Sequence, residues 1–200
     1  MDKIITNIDQ LDPNGVYTYA DYLLWRFSER VELIKGKIFK MSPAPSSAHQ
    51  SYSWNLIRQI DKVFYRTECK MYAAPFDVRL INFKKSTTDN QILTVIQPDL
   101  CVICDKSKID AKGCIGAPDL IIEILSPGNS KKEMGVKFNL YEENGVKEYW
   151  IVDPTEHAVF VYTLQGNKYI GLKPKIEGEN IISPLFEALN FEVEKIFEGV

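Results

Sequence analysis

Apolar positions follow a helical period early in the chain and a strand period later. Leu56, Ile57, Ile60, Val63 and Phe64 fall on one face at 3.6 residues per turn, which predicts an amphipathic helix. The preceding Ser42-Pro43-Ala44-Pro45-Ser46-Ser47 breaks any pattern and offers a serine cap. Upstream, Asp12-Pro13-Asn14-Gly15 reads as a turn, and Thr18 with Asp21 reads as a capping-box helix start. Arg30 to Met41 reads as a hairpin with Lys35-Gly36 at its turn. Further on, Phe76 to Phe83 alternates, Lys84 to Asn90 is a polar loop, and Leu93 to Cys104 and Asp119 to Leu125 are β stretches. Ser126-Pro127-Gly128-Asn129-Ser130 ends the last of these and caps a helix over about 131–143, which Gly145 closes. Glu148–Val152 and Val159–Leu164 read as two more strands about an Asp153-Pro154 turn, and the last twenty residues as a short closing strand and helix. With no repeat and no linker, these elements predict one α/β (α+β) domain over 1–200, a mixed sheet with helices on its faces.

Composition narrows the class. The chain has 200 residues, 45% hydrophobic and 26% charged, with 11 Gly and 10 Pro, which excludes collagen-like, low-complexity and small disulfide-scaffold proteins. No apolar run approaches the ~18 residues of a membrane span, and the N-terminal residues lack a secretory pattern. The four cysteines, Cys69, Cys101, Cys104 and Cys114, are therefore expected as free thiols in a reducing cytoplasm. The net charge is −3, unevenly spread: residues 177–200 hold six Glu and one Lys, so the remainder is mildly basic. This permits nucleic-acid binding without arguing for it.

Candidate chemistry begins with Leu120-Ile-Ile-Glu123-Ile-Leu125, apolar at both parities and so buried on both faces. A carboxylate at its centre must pair with a cation, bind a metal or take up a proton. Asp99 breaks a second β run, where Pro98 forces a bend or an edge, and by period 2 Gln97, Asp99 and Cys101 share a face. If the two strands are neighbours, Asp99 and Glu123 converge, and a hard divalent cation such as Mg²⁺ relieves their repulsion. Glu32, early in the hairpin, is a third acid, with a solvated face as the alternative.

Several ordered blocks carry a resemblance: Arg30-Val-Glu-Leu-Ile-Lys-Gly36, Met41-Ser-Pro-Ala-Pro45 with His49, Gln97-Pro-Asp-Leu100, Ala117-Pro-Asp-Leu-Ile-Ile-Glu-Ile-Leu-Ser-Pro127, Lys137 with Tyr141, and Gly145-Val-Lys-Glu-Tyr-Trp-Ile-Val-Asp-Pro154. Over about 17–162 the chain resembles the restriction endonuclease family of Uma-two type, in the PD-(D/E)XK nuclease-like superfamily; 163–200 is an acidic closing segment. The resemblance implies a restriction-endonuclease-like central mixed sheet flanked by helices, and a metal-dependent phosphodiesterase site. It implies Asp99 as the motif aspartate, Glu123 as the following acid, the Ile124 carbonyl as a third metal ligand, and Glu32 as the early acid or a ligand to a second ion. The motif lysine is expected at 125, where this chain has Leu125. Lys137 is the candidate replacement, with a surface lysine as the alternative, and Tyr141 shares its helix face at i+4. Lys131 and Lys132 are expected to face water.

His49, Gln97, Tyr141 and Arg79 are candidate substrate-binding residues, Arg79 being alternatively the ion-pair partner of Glu123, and Asp77 is a weaker candidate on the same strand. The expected activity is hydrolysis of DNA by a cytoplasmic, Mg²⁺-dependent endonuclease, with Mn²⁺ or RNA as variants and a homodimer as one route to cutting both strands. A catalytically silent nucleic-acid- or protein-binding module on the same fold is the other reading. Cys101-Val-Ile-Cys104 lies within a β run and is expected to be structural, and Trp25, Trp54 and Trp150 are expected in the core.

Overall fold

The computed structural model describes residues 4–41, 44–81, 88–126 and 131–200, the side chains of 131–133 excepted. The first Ser-Pro of the 42–47 break, Phe83, most of the 84–90 loop, Pro127 to Ser130, and the side chains of Lys131 and Lys132 therefore lie outside the described residues.

The N-terminal half makes a first sheet. Thr18 caps α1 (Tyr19–Tyr22) in a reciprocal capping box with Asp21, as the sequence predicts. Strands β1 (Val31–Ile34) and β2 (Lys37–Lys40) pair antiparallel. Lys35 and Gly36 sit at φ 51° and 78°, the left-handed pair that a tight hairpin turn requires. Ser46 caps α2 (Ser47–Phe64), its hydroxyl accepting from the His49 N–H. Leu56, Ile60 and Phe64 of α2 are buried. After α2 come β3 (Lys70–Ala73), β4 (Val78–Arg79), β5 (Val95–Ile96), β6 (Leu100–Ile103), β7 (Ile109–Asp110), β8 (Gly113–Ile115) and β9 (Leu120–Ile124). The first sheet runs β2-β1-β5-β4-β8-β7.

The predicted β stretch from Leu93 to Cys104 is two strands, not one. β5 belongs to the first sheet and β6 to the second, because Pro98 cannot donate to a ladder and the chain bends across at Gln97-Pro98-Asp99.

The second sheet carries the rest. Helix α3 (Lys131–Asn144) follows β9 and ends at Gly145, φ 81°, the expected helix-terminating glycine. β10 (Glu148–Asp153) returns parallel to β9, while β11 (Ala158–Gln165) runs antiparallel to β10. β12 (Lys168–Gly171) and β13 (Lys175–Ile176) both pair with β11, and the sheet order is β12-β11-β10-β9-β6-β3. The closing segment forms a separate hairpin of β14 (Asn180–Ile182) and β15 (Asn190–Glu192), then α4 (Glu194–Phe197).

Alternation along β9 separates two cores. Leu120, Ile122 and Ile124 pack with α2, α4 and the β14–β15 hairpin. Ile121, on the opposite face, packs with Leu140 and Tyr141 of α3 and with Val78 and Ile96 of the first sheet. The fold is thus a mixed α+β arrangement of the restriction-endonuclease-like kind, with β9 central in its sheet as expected from its continuous apolar run. Among the described residues, no helix is long and apolar enough to cross a membrane.

The cysteine expectation is corrected. Cys69 and Cys104 form a disulfide, while Cys101 and Cys114 are free and buried. β3 opposes β6 with Lys70 facing Ile103, so Cys69 and Cys104 are the next opposed pair. The expectation of four free thiols therefore holds only for Cys101 and Cys114.

Candidate active site

Glu123 lies near the end of β9, on the face that α3 covers. Lys137 and Tyr141, one helical turn apart, both reach it. The Lys137 ammonium donates to Glu123 Oε1 at 2.9 Å, and the Tyr141 hydroxyl donates to the same oxygen at 2.5 Å. Lys137 also lies 3.2 Å from Glu32 Oε1. Glu32 is only 4% exposed, so its carboxylate is buried between the sheets rather than on a solvated face. Its Oε1 accepts the Gln97 N–H at 2.9 Å, a donor freed where the chain bends at Pro98.

Asp99 follows that bend. Its Oδ2 accepts the Ile124 N–H at 2.7 Å, which ties it to the end of β9 beside Glu123. His49, in the first turn of α2, lies with Nε2 3.4 Å from Asp99 Oδ2 and 3.3 Å from the Ile124 carbonyl. The hydrogen bond to Asp99 raises the His49 pKa. His49 Nδ1 is buried without a partner among the described residues.

Burial pushes the Glu123 carboxyl up to about 7, and the charges of Asp99 and Glu32 add to this, while Lys137 and Tyr141 oppose it. Lys137 is raised in turn by Glu123 and Glu32, which outweigh its own desolvation. Three acids and one lysine thus share one low-dielectric region.

These groups open onto a cavity of about 500 Å³, whose walls include Glu32, His49, Gln97, Asp99, Glu123, Ile124 and Lys137. Gln97 is fixed there: its amide donates to Asp77 Oδ1 at 2.9 Å, and its carbonyl oxygen accepts from Arg30 at 3.2 Å. Asp77 therefore orients Gln97 from behind.

Two expected substrate contacts are corrected. Arg79 is buried in the first sheet, bound to Asp110 and to the Cys114 carbonyl, and does not line the cavity. Being on β4, it is held by β8 and by Asp110 at the end of β7, not by β9. Tyr141 is fully buried and holds Glu123 from behind, out of reach of a substrate. Trp54 is the third correction. Trp25 and Trp150 are buried, but Trp54 is 55% exposed and lines the cavity. Sequence reasoning also passed over Arg30, although it stands two residues before Glu32.

Among the described residues, no three His, Cys, Asp or Glu side chains converge as a metal cluster. Glu32 is engaged by Lys137 and the Gln97 N–H instead of joining Asp99 and Glu123. Two carboxylates and the Ile124 carbonyl remain at the mouth of β9. That donor set is hard and anionic, and it fits an ion that keeps several waters of its own.

Comparison with known proteins identifies the family and the fold. The profile of the Uma2 family, described as "Putative restriction endonuclease", matches residues 19–194, so the chain belongs to that family. An uncharacterized protein of Synechocystis is 26% identical over 145 residues, 71% of each chain. A crystal structure from Anabaena variabilis, described as a putative nuclease belonging to DUF820, superposes with a TM-score of 0.65 at 23% identity, covering 90% of this chain and 97% of that one. At that identity the likeness is one of fold.

Proposed function

We propose that the protein is a divalent-metal-dependent endonuclease that hydrolyses phosphodiester bonds of DNA, with Mg²⁺ as the ion and two copies acting on opposite strands. The observation that carries this reading is the meeting of Asp99 and Glu123 at the end of β9, tied by the Ile124 N–H, on an open cavity. Asp99, Glu123 and the Ile124 carbonyl would hold the metal, and Mg²⁺ bound there supplies Lewis-acid polarisation of the phosphate and a more acidic water. Lys137 stands in for the lysine absent at Leu125. Its ammonium, raised and held by two carboxylates, stays protonated and offsets charge developing on the phosphate. Gln97, locked by Asp77 and Arg30, presents a fixed polar edge to the substrate. His49 holds Asp99 and the Ile124 carbonyl in place.

The test pairs thermal melts with cleavage assays, for wild type and for Asp99→Asn/Glu123→Gln, in EDTA, Mg²⁺ and Mn²⁺. Metal stabilises wild type and supports cleavage of plasmid DNA, and the double variant shows neither. Equal metal response in both proteins, or equal cleavage, overturns the assignment. A silent binding module is the second reading. The observation favouring it is that Lys137 bridges Glu32 and Glu123, so its ammonium is already engaged, and Leu125 stands where the motif lysine is expected.

A further inference from the structure

Trp54 has no place in the site as built so far, yet it stands on the cavity wall. Helix α2 has two working faces. Leu56, Ile60 and Phe64 fill the core. His49 and Ser53, one turn apart, and Gln50 and Trp54, one turn apart, line the cavity instead. The same helix that aims His49 at Asp99 therefore holds an indole at the cavity entrance, 55% exposed. The Arg58 guanidinium lies 5.7 Å from the ring centroid, a cation–π contact that steadies the ring.

The remaining walls say what the indole is for. The cavity has walls that mix polar groups with apolar ones, among them Met41, Pro45 and Ile57 as well as Trp54. Its cationic side chains are few. Lys137 is neutralised by Glu32 and Glu123, Arg30 is bonded to Gln97, and Lys40 stands at the rim. Duplex binding through phosphate neutralisation needs many free Lys and Arg contacts. Single-stranded nucleic acid is held largely by bases stacking on aromatic side chains, and the half-exposed indole on the cavity wall offers one such platform.

We infer that the site takes an unpaired nucleotide, whose base stacks on Trp54 while its phosphate faces the divalent ion that Asp99 and Glu123 would hold. This rests on the nuclease reading above and narrows its substrate to single-stranded, flapped or locally opened nucleic acid.

The test measures binding by anisotropy of labelled single-stranded DNA, single-stranded RNA and the matching DNA duplex, with Ca²⁺ replacing Mg²⁺ to prevent cutting. Trp54→Ala weakens single-strand binding by ~10-fold or more, Trp54→Phe falls between, and any duplex binding is unchanged. Intrinsic fluorescence gives an independent readout, because Trp25 and Trp150 are buried. A single strand quenches wild-type emission, and Trp54→Phe removes the quench. The inference is overturned if Trp54→Ala binds single strands as wild type does, or if it weakens single strand and duplex equally. If wild type binds and cuts duplex with no Trp54 dependence, the inference fails while the nuclease reading stands. If wild type binds no nucleic acid, both fail. The DNA and RNA arms decide which polymer supplies the base.

Discussion

Replacing Lys137 by Met removes one ammonium and leaves its aliphatic stem. Two charge-assisted contacts vanish, at 2.9 Å to Glu123 and 3.2 Å to Glu32. Each carboxylate keeps one donor: Tyr141 for Glu123 and the Gln97 N–H for Glu32. Hydrogen bonds to charged groups contribute about 1.5–3 kcal/mol each, and breaking a buried pair costs about 3–5 kcal/mol. The Lys137 side chain is 21% exposed at the cavity wall, so solvent screens part of this. The expected loss is about 2–4 kcal/mol near pH 8, roughly 4–16 °C in Tm for a chain of this size. The pH dependence fixes the cause. Folding raises the Glu123 pKa from 4.5 to about 7, so its contribution to stability is fullest below pH 4.5 and is lost as pH rises through about 7. Without Lys137 that carboxyl rises further, and the loss steepens. The gap between wild type and Lys137→Met is therefore wide near pH 8 and narrows towards about pH 5, where Glu123 holds a proton in both. Urea melts at the two pH values, with the Glu123→Gln single and double variants closing a cycle, measure it. A gap under about 1 kcal/mol at pH 8, or one independent of pH, refutes the reasoning.

Other outcomes follow from single contacts. Tyr141→Phe deletes the 2.5 Å hydroxyl contact to Glu123 and is expected to lower stability by about 1.5–3 kcal/mol near pH 8 and by less near pH 5, read by the same melts. Gly113 sits at φ 119°, and a Cβ there meets the Asp77 carbonyl oxygen, so Gly113→Ala is destabilising by more than about 1 kcal/mol in thermal melts. Since Asp77 holds Gln97, that variant also perturbs the cavity, which a loss of metal-dependent stabilisation would report.

Local rules made much of the molecule legible. The Lys35-Gly36 turn, the Thr18–Asp21 box and Gly145 are short-range signals, and the structure repeats them. Lys137 and Tyr141 were readable as a pair because i and i+4 share a helix face. Arg79 was not, because its surroundings depend on which sheet β4 joins, and that is set by pairing with β8 far along the chain. Gln97 and Asp99 do both reach the cavity, although the run crosses between sheets at Pro98. Trp54 was misplaced by its hydrophobicity alone. It stands two residues before Leu56, about 200° away around a helix at 3.6 residues per turn, and that offset was a signal that it leaves the core stripe. The Cys69–Cys104 pair becomes visible only once the β3–β6 register is known.

The bend at Gln97-Pro98-Asp99 stitches the two sheets at the cavity, and this sets an order of assembly. The Lys137–Glu123 contact spans 14 residues and Asp99–Ile124 spans 25, whereas Gln97–Glu32 spans 65 and His49–Ile124 spans 75. Closing longer loops takes more entropy, so the short-range half forms ahead of the long-range half. During synthesis Glu32 and His49 leave the ribosome early but have nothing to grip until β9 and α3 emerge. The constellation is complete only once α3 has been made through Tyr141, so a copy cut short before α3 carries the acidic residues without the lysine and tyrosine that hold Glu123.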